Sequence, residues 1–144
     1  MKVFLDTNVV IDFCAKREKF FSSAAKIIDL GISGDIDLAV SSLTFINVAY
    51  IMRKGYDKEV VMDKLDELAS LFEITQIDGD TIRQSIEKRS KDFEDCVQCF
   101  SAMTANSDLI VTRNVNDFKD LPLPVMTPDD FIAACQKSTT EDNN

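Results

Sequence analysis

The sequence predicts an α/β fold, a parallel sheet with helices on both faces, and three observations lead there. Short apolar runs alternate along the chain with longer segments whose apolar residues recur every three or four positions. Two of the runs, Val3-Phe4-Leu5 and Leu109-Ile110-Val111, are apolar at every position, as strands buried on both faces are. Both stop abruptly on small polar or acidic residues, Asp6-Thr7-Asn8 and Thr112-Arg113-Asn114, which suits the carboxyl edge of a parallel sheet, where open α/β folds bind ligands.

The elements follow in order. After the first strand, Asn8 to Lys16 (Val9, Ile11, Phe13) and Phe20 to Ile32 (Ala24, Ile27, Ile28, Ile32) carry helical spacing, with Gly31 and Gly34 as stop signals. Ile36 to Val40 is the second strand, and Ser41-Ser42 cap a helix from Leu43 to Arg53 that Gly55 ends. Lys58 to Leu71 is amphipathic through Val60, Val61, Leu65, Leu68 and Leu71. Phe72 to Ile77 alternates as a third strand, and a polar helix follows Asp78-Gly79-Asp80 to about Lys88. Phe93, Val97, Phe100 and Met103 mark a helix over Lys91 to Asn106. Leu109 to Val111 is the fourth strand, Asn114 to Lys119 one helical turn, and Pro124 to Met126 a short edge strand. The last helix runs from Pro128 to Cys135, with Thr127 as its cap and proline in its first turn. No repeat or linker divides the chain, so residues 1–136 form one domain, and the polar residues 137–144 read as a disordered tail.

Composition narrows the chemistry. A chain of 144 residues with 45% hydrophobic content buries one sizeable core. No segment approaches the roughly 18 apolar residues of a membrane span, and Asp6 interrupts the first apolar run, so a cytoplasmic protein without a membrane partner is expected. Cys14, Cys96, Cys99 and Cys135 then read as reduced thiols. Cys96 and Cys99 have zinc-ligand spacing, but they fall inside a core-packed helix and no second pair follows. Histidine is absent, which removes Ser-His-Asp and Cys-His systems and leaves catalysis to carboxylates. The net charge of −9 argues against broad contact with nucleic acid, so such a substrate needs a local basic patch or a bridging cation.

Carboxylates gather where the fold has its carboxyl edge. Asp92-Phe93-Glu94-Asp95 opens a helix, where acids also simply offset the dipole. Asp92 and Asp95 nevertheless share a face, and their helix leads into the fourth strand, which brings its N-terminus to the same edge as Asp6. Asp117 follows the fourth strand, where its bland reading is a capped turn. Carboxylates about 4 Å apart repel by roughly 4 kcal/mol per pair at a near-surface dielectric. Such a cluster therefore calls for a cation, and oxygen ligands favour Mg²⁺ or Mn²⁺.

Taken in order, Leu5-Asp6-Thr7-Asn8, Ser41 to Asn47, Asp92 to Asp95 and Val111 to Phe118 resemble the motifs of PIN domains, metal-dependent ribonucleases that include VapC-type toxins of toxin–antitoxin pairs. The resemblance extends to Pro124-Val125-Met126-Thr127-Pro128. It implies a three-layer α/β/α sandwich whose sheet of about five strands has the order 3-2-1-4-5. It also implies that Asp6 and Asp95 hold the metal and that Asp117 is a fourth ligand, direct or through water. Two positions depart: Asn47 stands where the common pattern has a second acid, and Asn114 replaces an acid often found after Thr-Arg. Each exchange removes a negative charge from the site and weakens its hold on a hard cation. One branch of PIN-like proteins carries the Asn47 variant as its usual form.

The expected activity is metal-assisted hydrolysis of RNA, with Asp92 positioning the water, Thr7, Asn8 and Thr112 fixing carboxylate rotamers, and Arg113 contacting phosphate. Lys16 to Lys19 and Lys88 to Lys91 read as solvated surface, although Lys88, Arg89, Lys91, Arg53 and Lys54 are placed to supply a local positive field. Phe20, Phe21 and Tyr50 read as core before partner surface. An antitoxin peptide inserting a basic side chain is a candidate partner, and a homodimer is expected from the resemblance and from Phe20 and Phe21. The competing readings are an impaired PIN domain that binds RNA or protein without cleaving, and a receiver-like phosphotransfer protein. The latter wants a lysine after a late strand, where this chain has Arg113-Asn114.

Overall fold

The computed structural model describes residues 1–143. Five parallel strands form one sheet in the order β3-β2-β1-β4-β5, where β1 is Lys2–Leu5, β2 Asp37–Ser41, β3 Glu73–Thr75, β4 Leu109–Val111 and β5 Val125–Met126. The helices are α1 (Thr7–Cys14), α2 (Phe21–Ile32), α3 (Ser42–Met52), α4 (Lys58–Leu71), α5 (Gly79–Lys88), α6 (Phe93–Thr104) and α7 (Pro128–Asp142).

The pleat of β1 explains the three layers. Successive side chains point to opposite faces of a strand, so Val3 and Leu5 enter one core with Val9, Val10, Ile27, Ile28, Val48 and Phe131, contributed by α1, α2, α3 and α7. Phe4 enters the other, with Ala39, Ile110, Phe118 and the α6 residues Cys96, Cys99 and Ala102. Both cysteines are buried and free, as their place on a core-packed helix implies. No helix among the described residues is long and apolar enough to cross a membrane.

Several local expectations are corrected. β3 covers only Glu73–Thr75, and as an edge strand it leaves Ile74 half exposed while Thr75 is buried and bonded to Ser101. Ser41 occupies the cap position of α3, but its hydroxyl makes no capping bond because it is still the buried last residue of β2. Gly31 sits inside α2 rather than ending it. A Cβ there would lie 2.2 Å from Leu38 Cδ1, so the helix approaches β2 only with glycine at this position. Finally, α7 continues through residues 137–142, expected to be disordered, with Ser138, Thr139 and Thr140 donating to carbonyls four residues back. The end of that expected tail, residue 144, lies outside the described residues.

Candidate metal centre

The chain leaves β1 and enters α1 through Asp6, whose backbone is extended and whose Oδ1 accepts from Thr7 N at 2.8 Å. Its Oδ2 accepts from Thr112 Oγ1 at 2.8 Å and from Asn8 Nδ2 at 3.1 Å. Thr112 follows β4, so the bond ties the ends of the two central strands together. Burial raises the Asp6 carboxyl pKa above its ordinary value, the Thr112 and Thr7 bonds oppose the rise, and the charges of Glu94 and Asp92 add to it. Thr7, Asn8 and Thr112 thus all donate hydrogen bonds to this carboxylate.

Asp92 caps α6 by accepting from Asp95 N at 3.0 Å, which brings its carboxylate alongside that of Asp95. Asp117 arrives from the short 3-10 helix Val115–Phe118 behind β4. One oxygen from each of Asp92, Asp95 and Asp117 lies within 4.8 Å of the other two. The Asp95 carboxyl is pushed up to about 7, by burial first and then by the charges of Asp6, Asp92, Asp117 and Glu94. The cation that reaches the trio, Lys91, is exposed, and its Nζ stands 4.0 Å from Asp117 Oδ1, too far to neutralise the cluster. Three unbalanced carboxylates with no nitrogen or sulfur donor among them fit a hard divalent cation.

Asp92, expected to position water, has a carboxylate oxygen within 4.8 Å of one from each of Asp95 and Asp117. Asp6 faces the same cleft, of about 440 Å³, with three hydrogen bonds already made to its oxygens. Asn47 and Asn114 also line that cleft. Arg113 does not. Its guanidinium forms a two-point pair with Asp12 (Nε to Oδ2 2.7 Å, Nη2 to Oδ1 3.3 Å) and lies 4.1 Å from the centre of the Phe20 ring. Asp12 is 1% exposed, and a buried carboxylate left unpaired costs several kcal/mol, roughly 3–5, so the arginine goes to it rather than to the open cleft.

Other residues had no assigned role in the sequence. Gln98, fully buried on α6, donates through Nε2 to Thr7 Oγ1 at 2.8 Å, and Thr7 Oγ1 is paired at 2.8 Å with Thr44 Oγ1, so α1, α3 and α6 are pinned beneath the cleft. The available signals were a polar side chain three residues after Asp95 on a core helix, and Thr44 one turn before Asn47. Arg17, Tyr50 and Glu94 wall the cleft. Tyr50, expected in the core, is 52% exposed.

A family model described as PIN domain matches residues 2–116, most of the chain, from β1 into the 3-10 helix that carries Asp117. The chain belongs to the PIN-domain family. Among curated relatives, this PIN domain is 27% identical over 144 residues to ribonuclease VapC1 of Aquifex aeolicus (strain VF5), a match that covers 96% of each chain. Among solved structures, the PIN domain is similar to VapBC-1 of nontypeable Haemophilus influenzae (18% identity, TM-score 0.66, covering 90% of this chain and 99% of that one). It is also similar to a toxin–antitoxin complex from Klebsiella pneumoniae (24% identity, TM-score 0.66, covering 88% and 97%). At these identities the solved structures establish the shared fold of the PIN domain.

Proposed function

We propose that this PIN domain is a ribonuclease that hydrolyses RNA phosphodiesters with Mg²⁺ or Mn²⁺, and that it is the toxin of a toxin–antitoxin pair. The observation that carries the reading is the meeting of Asp92, Asp95 and Asp117 within 4.8 Å, beside Asp6 in one open cleft. The name of the Aquifex relative, a ribonuclease, supports the activity. Asp92, Asp95 and Asp117 would hold the ion, with Asp6, Asn47 and Asn114 lining the same cleft as further oxygen donors. When bound, the ion supplies Lewis acidity that offsets charge on the phosphate and lowers the pKa of an attacking water. Thr112 and Asn8 hold the Asp6 rotamer, and Gln98 and Thr44 hold the first turn of α1 from which Thr7 and Asn8 project.

An antitoxin partner is supported by the toxin–antitoxin assemblies of the same fold, and an unneutralised acidic cleft suits a basic side chain from such a partner. A homodimer and a cytoplasmic location belong to the same reading, with Cys14, Cys96 and Cys99 buried and free. The test is cleavage of a single-stranded RNA pool by wild type and Asp95→Asn, in millimolar Mn²⁺ and in EDTA. Cleavage by wild type in Mn²⁺ alone is expected. The amides at Asn47 and Asn114 favour a second reading, a PIN domain that binds RNA or protein without cutting it. That reading replaces the first if wild type leaves every RNA intact while Asn47→Glu cleaves.

A further inference from the structure

The wall that faces the acids has a different chemistry. Asn47 and Tyr50 lie three residues apart on α3, about one helical turn, and both line the cleft. The ring is 52% exposed and has two cations against it, Arg53 with its guanidinium carbon 4.3 Å from the ring centre and Lys54 with Nζ at 5.1 Å. Arg17 also lines the cleft, with its side chain 44% exposed. Its contact with Asp12 is a long 3.5 Å, because Asp12 is already engaged at two points by Arg113. A chain of net charge −9 thus places a half-exposed aromatic ring and Arg17 in the wall of its acidic cleft, with Arg53 and Lys54 against that ring.

We infer that Tyr50 is a stacking platform for one unpaired base of a single-stranded RNA, with Arg17, Arg53 and Lys54 holding the phosphates on either side of the linkage at the acids. This subsite rests on the ribonuclease reading. Base-on-aromatic stacking tolerates any base and needs a strand whose bases are free, so a duplex of the same sequence is excluded from it. An aromatic ring flanked by cations in the cleft that also holds the carboxylates matches a strand that offers a base and its phosphates side by side.

The experiment measures the Kd of a fluorescent single-stranded RNA decamer by anisotropy, with Ca²⁺ in place of Mn²⁺ to hold back cleavage. Tyr50→Ala raises Kd by about 5- to 150-fold, the span of one base–aromatic stack, while Tyr50→Phe and Tyr50→Trp stay near wild type. Arg17→Ala lowers the slope of log Kd against log salt by about 0.7, as the loss of one phosphate contact to a single strand does. The duplex competes poorly with the decamer. Tyr50 is exposed, so these variants fold. If wild type binds and cleaves RNA and Tyr50→Ala binds as tightly as wild type, or if its loss is not restored by Phe or Trp, the stacking subsite is wrong and the ribonuclease reading stands. If wild type neither binds nor cleaves RNA, both fall.

Discussion

Replacing Asp95 by asparagine separates an electrostatic metal centre from an ordinary capped helix. The two side chains are nearly isosteric, and Asp95 is 8% exposed, so the exchange chiefly removes a charge. In the metal-free protein the Asp95 carboxyl titrates at about 7 against an ordinary value of 3.8. A difference of about 3 units corresponds to about 4 kcal/mol of unfavourable interaction in the ionised form, a ceiling that water in the open cleft lowers to about 1–2 kcal/mol. Between about pH 4 and 7 the folded protein holds one more proton at this position than the unfolded chain, so wild-type stability falls as pH rises across that window. Asp95→Asn lacks this slope. In EDTA the variant is therefore equal to wild type near pH 4 and melts higher at pH 8, by about 2–4 °C for each kcal/mol. Millimolar Mn²⁺ at pH 8 reverses the order, because an ion that binds only the folded state stabilises it by RT ln(1 + [L]/Kd) and the variant has lost a ligand charge. The measurement is a set of thermal melts of both proteins at pH 4, 6 and 8, in EDTA and in Mn²⁺. If Asp95 merely offsets the dipole of α6, the variant loses about 0.3–1 kcal/mol at pH 8 and Mn²⁺ moves neither protein. That pattern would refute the metal centre.

Asn47→Glu, which restores a charge to the cleft wall, tightens Mn²⁺ binding by calorimetry and raises the cleavage rate. Arg113→Ala leaves buried Asp12 with only the long Arg17 contact and costs about 2–4 kcal/mol in urea unfolding, whereas a phosphate-binding role would leave stability unchanged and weaken RNA affinity. Thr112→Val removes a hydrogen bond to the Asp6 carboxylate and costs about 1.5–3 kcal/mol at neutral pH, read from the same unfolding curves. Light scattering at high protein concentration returns a dimer mass, and a monomer mass removes the expected self-association.

The sequence by itself determined the class of the fold and the edge where its chemistry lies. Val3 to Leu5 and Leu109 to Val111 are apolar throughout because β1 and β4 are flanked by strands and covered on both faces, and the polar residues that end them mark where that cover stops. The motif resemblance added the strand order, which the sheet has. Only the tertiary structure decided which side chains meet. Arg113 is spent on Asp12, 101 positions away, Gln98 on Thr7, 91 positions away, and Asp92 stands with Asp95 and Asp117 while Asp6 is held by Thr112. Tyr50 read as core, but what covers a residue depends on whether another element packs across it, and this residue is half exposed. The polar composition of residues 137–142 likewise said nothing about helix against coil, since a helix already nucleated at Thr127 and Pro128 propagates at one hydrogen bond per residue. Hydrophobic periodicity reports how a segment divides its own surface between core and water. The partner of a polar or charged side chain is chosen across elements that only the folded chain brings together.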